Sequence, residues 1–202
     1  PESERMVRSL NAQLAGRIRV LRALPVDDEF HARFSAQWRA YRYLVVPTGG
    51  AGLTVTSSLA WTVSGPLDIA SMNRAARDII GEHDFRAFCK RAEGTSSDDP
   101  IRREVVDAVW REVPDLAGIQ PQGEPILRFD IRATSFCHNM VRSLTSAFVA
   151  VGQGKLGAEE IADRLQTHER TGLPAPAPAA GLALIGVGYP EFAGGPSGLV
   201  TL

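Results

Sequence analysis

Three groups of residues have the types and spacing that chemistry requires. The first is Cys137–His138 in "SFCHNMVRSL". A thiol–imidazole dyad needs the ring to reach the sulfur and a third group to orient it. Adjacent side chains diverge by roughly 100° on a helix and point to opposite faces on a strand, so direct neighbours are badly placed to form the pair. Cys137 beside Phe136 reads better as a small buried hydrophobe. The second is Arg142, one turn after His138 and one turn before Ser146. The three would make a polar stripe beside the apolar ridge Met140, Leu144, Phe148 and Val151. Taken alone, such an arginine is a solvated surface residue. The third is "WRAYRY", where alternation puts Arg39, Tyr41 and Tyr43 on one face of a strand. A cation between two flat rings can stack an unpaired base and hold its phosphate. A sheet face packed under a helix, with tyrosine hydroxyls at its edge, accounts for the spacing equally well. His83 and Asp84 in "GEHDFRAF" could serve as acid and base, but a side-chain cap onto local backbone is the commoner role.

These residues must be positioned by a modest set of elements. "PESERMVRSLNAQL" reads as a short amphipathic helix with Met6, Leu10 and Leu14 at fourfold spacing. "IRVLRALP" and the long run "FHARFSAQWRAYRYLVV" read as strands. "LDIASMNRAARDIIG" is the clearest helix, capped by Asp68, ended by Gly81, with Ile69, Met72, Ala76, Ile79 and Ile80 as its buried stripe. "REVVDAVWREV" and "PILRFDIRAT" are two further strands, joined by a Pro/Gly-rich connection at 114–125. The helix carrying Arg142 follows, then a last helix "AEEIADRLQ", an extended "LPAPAPAAG" segment and a final strand "LALIGVGYP". "AEGTSSDDP" is a polar loop. This order predicts an α+β domain, a largely antiparallel sheet with helices packed on one face.

Composition narrows the function classes. The 202 residues are enough for one substantial core, and no apolar run reaches the roughly 18 residues of a membrane span. Cys89 and Cys137 lie far apart and outside CxxC spacing, which argues against zinc and against a disulfide and favours a reduced, cytosolic protein. The net charge of -1 supplies no global attraction to nucleic acid. Yet all basic residues except Lys90 and Lys155 are arginine, which suits phosphate forks and base stacking better than lysine.

The segments "LNAQL", "FHARFSAQWRAYRYLV", "GEHDFRAF", "ATSFCHNMVRSL" followed by "VGQGK", and "GLALIGVGYP" occur in the order of TruA-type tRNA pseudouridine synthases. From about Leu10 to Tyr189 the chain resembles that family. The resemblance implies the pseudouridine synthase fold and isomerisation of uridine to pseudouridine at positions 38, 39 and 40 of the tRNA anticodon arm. It implies a cytoplasmic homodimer working without metal or cofactor. It further implies that Tyr41 stacks on the flipped-out base and takes part in proton transfer, that Arg142 pairs with a nucleophilic aspartate, and that Arg39 contributes to the same cleft, which His138 at most lines as a substrate contact. In the family the nucleophile stands in a Gly-Arg-Thr-Asp loop, and that sequence is absent from these 202 residues. Neither Asp84 nor Asp130 matches its motif. The expectation is therefore a piece of a longer enzyme, inactive alone. Residues 1–30 would be a remnant (helix and strand) of an N-terminal domain, and residues 31–202 the C-terminal domain. Arg142, without its partner, should be exposed or paired elsewhere. Two rival classes are a non-catalytic RNA-binding or assembly module, and an unrelated cysteine enzyme using Cys137 with His138.

Overall fold

The computed structural model of the chain describes residues 2–14, 16–48, 58–90, 94, 96, 99–113 and 126–190. Two units make it up, residues 1–35 and residues 36–202.

The first unit carries helix α1 (Glu2–Gln13), as its fourfold apolar spacing predicts. The strand expected at 18–25 does not form. A strand needs a neighbour to pair its N–H and C=O groups, and here a side chain substitutes for one. The Asn11 amide donates to the Val20 carbonyl at 2.8 Å and accepts from the Val20 N–H at 2.7 Å. The long run predicted from Phe30 also begins later than expected. Ser35 N–H bonds the His31 carbonyl at 2.8 Å and its hydroxyl accepts from His31 N–H at 3.0 Å, closing a local turn in place of ladder pairing.

The second unit is a six-stranded sheet: β1 (Trp38–Thr48), β2 (Trp61–Ser64), β3 (Gly81–Asp84), β4 (Arg102–Val113), β5 (Ile126–Ala133) and β6 (Leu182–Gly188). The order is β2-β1-β5-β4-β3, with β6 also on β1. Every pairing is antiparallel except β1 with β2. Helices α2 (Ile69–Arg77), α3 (Met140–Gly152) and α4 (Glu159–Thr167) share one core with one face of this sheet. That core holds Tyr43, Val45, Ala108, Trp110, Phe129 and Ile131 from the strands, with Met72, Leu144, Phe148 and Ile161 from the helices. Trp110 stacks on Phe129 at 4.9 Å, and Phe148 meets both edge-on. The α+β fold with helices on one face is as predicted, whereas the four-residue strands β2 and β3 are too short to announce themselves.

Asp68 caps α2, accepting from Ala70 N–H and Ser71 N–H at 2.9 and 3.2 Å. The α2 stripe is buried as predicted at Met72, Ala76 and Ile79, but Ile80 is exposed because the helix has ended at Arg77. The opposite sheet face is an ion network. Asp130 takes Arg42 Nε and Arg128 Nε at 2.8 Å each, with Arg111 at 3.4 Å.

Cys89 and Cys137 are joined by a disulfide, with Cα atoms 5.8 Å apart, which corrects the expectation of two unpaired cysteines. Sequence distance misled because topology closes it. Both β3 and β5 run antiparallel to β4, so their C-terminal ends lie at the same end of the sheet. The segments leaving those two strands carry the two cysteines.

Candidate active site

The segment 134–142, between β5 and the first turn of α3, gathers the residues singled out from the sequence. Arg39 on β1 reaches it, its Nη1 donating to the Thr134 carbonyl at 2.9 Å and the Ala36 carbonyl at 3.0 Å. Tyr41, two residues on and half-buried, meets the Phe136 ring edge-on at 5.1 Å. Lys90 N–H bonds the His138 carbonyl at 2.9 Å, beside the disulfide.

Tyr43 does not belong to an open stacking face. Its ring is fully buried and its hydroxyl donates to the Pro178 carbonyl at 2.6 Å. Burial pushes the phenol well above its ordinary pKa, opposed by the positive charge of Arg142 nearby. Gly181 completes the fit, since a Cβ there would lie 2.6 Å from the Tyr43 ring. The face of β1 is thus divided. Tyr43 is core, and Tyr41 stays half-buried at its rim.

Arg142 is neither a solvated surface residue nor one of a polar stripe. His138 lies in a turn before α3 with its side chain exposed, and Ser146 is buried with its hydroxyl on the Ser143 carbonyl. A helix buried nearly all round has no polar stripe to offer, and α3 is such a helix. The Arg142 Nε donates to the Ala177 carbonyl at 2.5 Å and Nη1 to Asn139 Oδ1 at 3.2 Å. The expectation that it would be paired elsewhere holds, though with protein acceptors. Two participants were missed from the sequence. Asn139 drew no notice in the sequence, and "LPAPAPAAG" read only as an extended segment.

Asp84 and Asp130 are both engaged away from Arg142. Asp130 lies in the arginine network on the far sheet face. Asp84 caps local backbone, accepting from Ile101 N–H at 2.9 Å and Arg86 N–H at 3.1 Å, and pairs with Arg86 Nε at 2.8 Å. Burial pushes the Asp84 carboxyl up, but those two N–H groups and the charges of Arg86 and His168 outweigh it and hold it below its ordinary range. A carboxyl depressed in the folded state contributes stability above its unfolded pKa of about 3.9 and loses it as pH falls through the folded value. Asp84→Asn is accordingly expected to flatten the loss of stability below about pH 4. Urea midpoints from pH 6 to pH 2.5 check this; parallel curves for the two proteins would refute it.

With both cysteines in the disulfide there is no free thiol, which removes the Cys137–His138 enzyme. Among the described residues no three His, Cys, Asp or Glu side chains converge as a metal-ligand set, and no helix is long and apolar enough to cross a membrane.

The sequence profile described as tRNA pseudouridine synthase matches residues 75–190, more than half of the chain and all of the segment around Arg142. The chain belongs to this family. Curated relatives named tRNA pseudouridine synthase A agree. That of Chromobacterium violaceum is 35% identical over 185 residues, covering 92% of this chain and 65% of the relative. That of Frankia casuarinae is 37% identical over 187 residues, covering 92% and 63%. That of Neisseria meningitidis is 38% identical over 188 residues, covering 93% and 66%. The chain therefore spans a little under two thirds of these synthases.

Proposed function

We propose that these residues, joined to a segment bearing the Gly-Arg-Thr-Asp nucleophile (the intact enzyme below), isomerise uridine to pseudouridine at positions 38, 39 and 40 of the tRNA anticodon arm. The observation that carries the reading is the state of Arg142. Its guanidinium is held at Nε and Nη1 by neutral acceptors, while Nη2 has no hydrogen bond among the described residues. An arginine fixed in this way is ready to receive a carboxylate. It would keep the nucleophile ionised and aimed through opposite charge. Tyr41, half-buried against Phe136, offers a ring for the base once extruded from the stack, a step costing a few kcal/mol. Arg39 and His138 border the same segment as substrate contacts. The enzyme would work as a cytoplasmic homodimer without cofactor, and the 202-residue chain alone, lacking Gly-Arg-Thr-Asp, would form no pseudouridine.

Unmodified tRNA incubated with each protein tests this, with pseudouridine read after nuclease digestion. Product from the intact enzyme and none from the chain alone is expected. No product from the intact enzyme would remove the reading, leaving an RNA-binding or assembly module as its successor. In the intact enzyme Tyr41→Phe should retain tRNA affinity, whereas Tyr41→Ala should lose about 1–3 kcal/mol of base stacking. Filter-binding curves on the same tRNA check the pair, and equal affinity and activity for all three proteins would take Tyr41 out of the site.

A further inference from the structure

We propose that Asn139 is a positioning residue for Arg142, holding its guanidinium in the orientation that presents it to the nucleophile. The proposal rests on the reading above and adds a residue to it. Asn139 stands immediately before α3, with φ 65° and ψ 2°. An ordinary cap residue has extended backbone angles, and its side chain accepts from an N–H in the first turn. Asn139 does neither: it is left-handed and makes no side-chain cap. Among the described residues only Asn139 and His168 have positive φ without being glycine. The left-handed region crowds a Cβ, so a residue persists there only where its surroundings demand it. Asparagine tolerates the region better than most.

What the conformation achieves is a contact one turn further on. Asn139 Oδ1 accepts from Arg142 Nη1 at 3.2 Å. The opposite flank is held by the proline-bounded strap at 176–178. Arg142 Nε donates to the Ala177 carbonyl at 2.5 Å, and Ala177 N–H donates back to the Arg142 carbonyl at 3.1 Å. Ala177 is buried between Pro176 and Pro178, and the Pro178 carbonyl takes the Tyr43 hydroxyl. The strap acceptor is thereby itself fixed. A planar guanidinium held at Nε and Nη1 has its plane and its rotation set, and Nη2 becomes its free end. Without Asn139, among the described residues only the Nε bond remains, and the group can swing about it. An asparagine that could have capped the helix instead aims the arginine.

The test uses Asn139→Gly, because glycine accepts φ 65° and removes the side chain that carries the amide. In the intact enzyme kcat is expected to fall about 10²-fold, the scale of a small misplacement of a catalytic group, with KM for tRNA within about twofold. The acid limb of the kcat–pH profile should move to higher pH, because the nucleophile loses an aimed positive charge. Asn139→Gly added to Arg142→Lys should cost little more than Arg142→Lys alone, since Asn139 acts through Arg142. A wild-type kcat and pH profile, or full additivity on Arg142→Lys, would overturn the proposal. A separate arm uses the 202-residue chain and judges the bracket whatever the activity of the intact enzyme. Nitrogen-15 NMR of the Arg142 guanidinium should show hindered Nη rotation that becomes averaged in Asn139→Gly. Equal averaging in both chains would sink the bracket, whereas absence of pseudouridine from the unsubstituted enzyme would sink the functional reading.

Discussion

Arg142→Ala in the intact enzyme is expected to lower kcat by about 10²–10⁴-fold, and Arg142→Lys to recover little of it. The size follows from the pair that Arg142 would complete. Removing one partner of a buried ion pair strands the other charge at a cost of about 3–5 kcal/mol, and each 1.36 kcal/mol is tenfold in rate. Lysine restores the charge but not the fork. One ammonium cannot bond the Ala177 carbonyl and Asn139 Oδ1 and still present a free N–H edge in the geometry a guanidinium allows. Stability should fall by about 1–3 kcal/mol, because half-buried Asn139 can exchange Arg142 for water whereas the carbonyl of buried Ala177 loses its donor. Single-turnover pseudouridine formation, read beside tRNA affinity, separates the two effects. A kcat within threefold of wild type for Arg142→Ala would remove the arginine from the chemistry.

The long elements were legible in the sequence because each carries a periodic signal strong enough to stand alone. Asp68 before an apolar stripe marks α2, and "PILRFDIRAT" alternates cleanly through Leu127, Phe129 and Ile131 onto the core face. The misplaced elements share one cause: local side chains satisfied backbone groups that a ladder would otherwise have needed. Asn11 does so for Val20 and Ser35 for His31, and neither bond leaves a trace in hydropathy. The strands β2 and β3 fail for the converse reason, since four residues are too few for a period to be counted.

The site was legible as a list of residues and not as an arrangement. Tyr41 and Tyr43 share a face by alternation, yet only depth within the sheet separates the core ring from the rim ring. Arg142 stood out through family resemblance. Its chemical interest lies in contacts 35 residues apart in sequence with Ala177, which no spacing rule anticipates. Asn139 was hidden by its own propensity. Asparagine before a helix signals a cap so strongly that its left-handed backbone and its bond to Arg142 become visible only in three dimensions.

The disulfide shows the same limit and has the largest expected effect on stability. Replacing both Cys89 and Cys137 by Ala is expected to lower unfolding free energy by about 2–4 kcal/mol, and the melting temperature by roughly 5–15 °C for a chain of this size. The bond closes a loop across a separation of 48 residues. In the chain-entropy account such a cross-link acts chiefly by restricting the unfolded chain. The folded segments need it less. Lys90 N–H still holds the His138 carbonyl, Phe136 still packs on Tyr41, and Cys89 lies in the main core. The site should therefore survive the substitution at temperatures well below melting, with Arg142 bracketed as before. Mass spectrometry of the native chain after alkylation under denaturing conditions should find no labelled thiol without reductant and two with it. Thermal melts with and without reductant should differ for the natural chain and coincide for the double variant. Two thiols labelled without reductant, or melts of the natural chain that coincide, would show that Cys89 and Cys137 stand adjacent but unlinked, with the turn after β3 tied to the entrance to α3 by the Lys90–His138 bond and by the packing of Phe88 in the shared core.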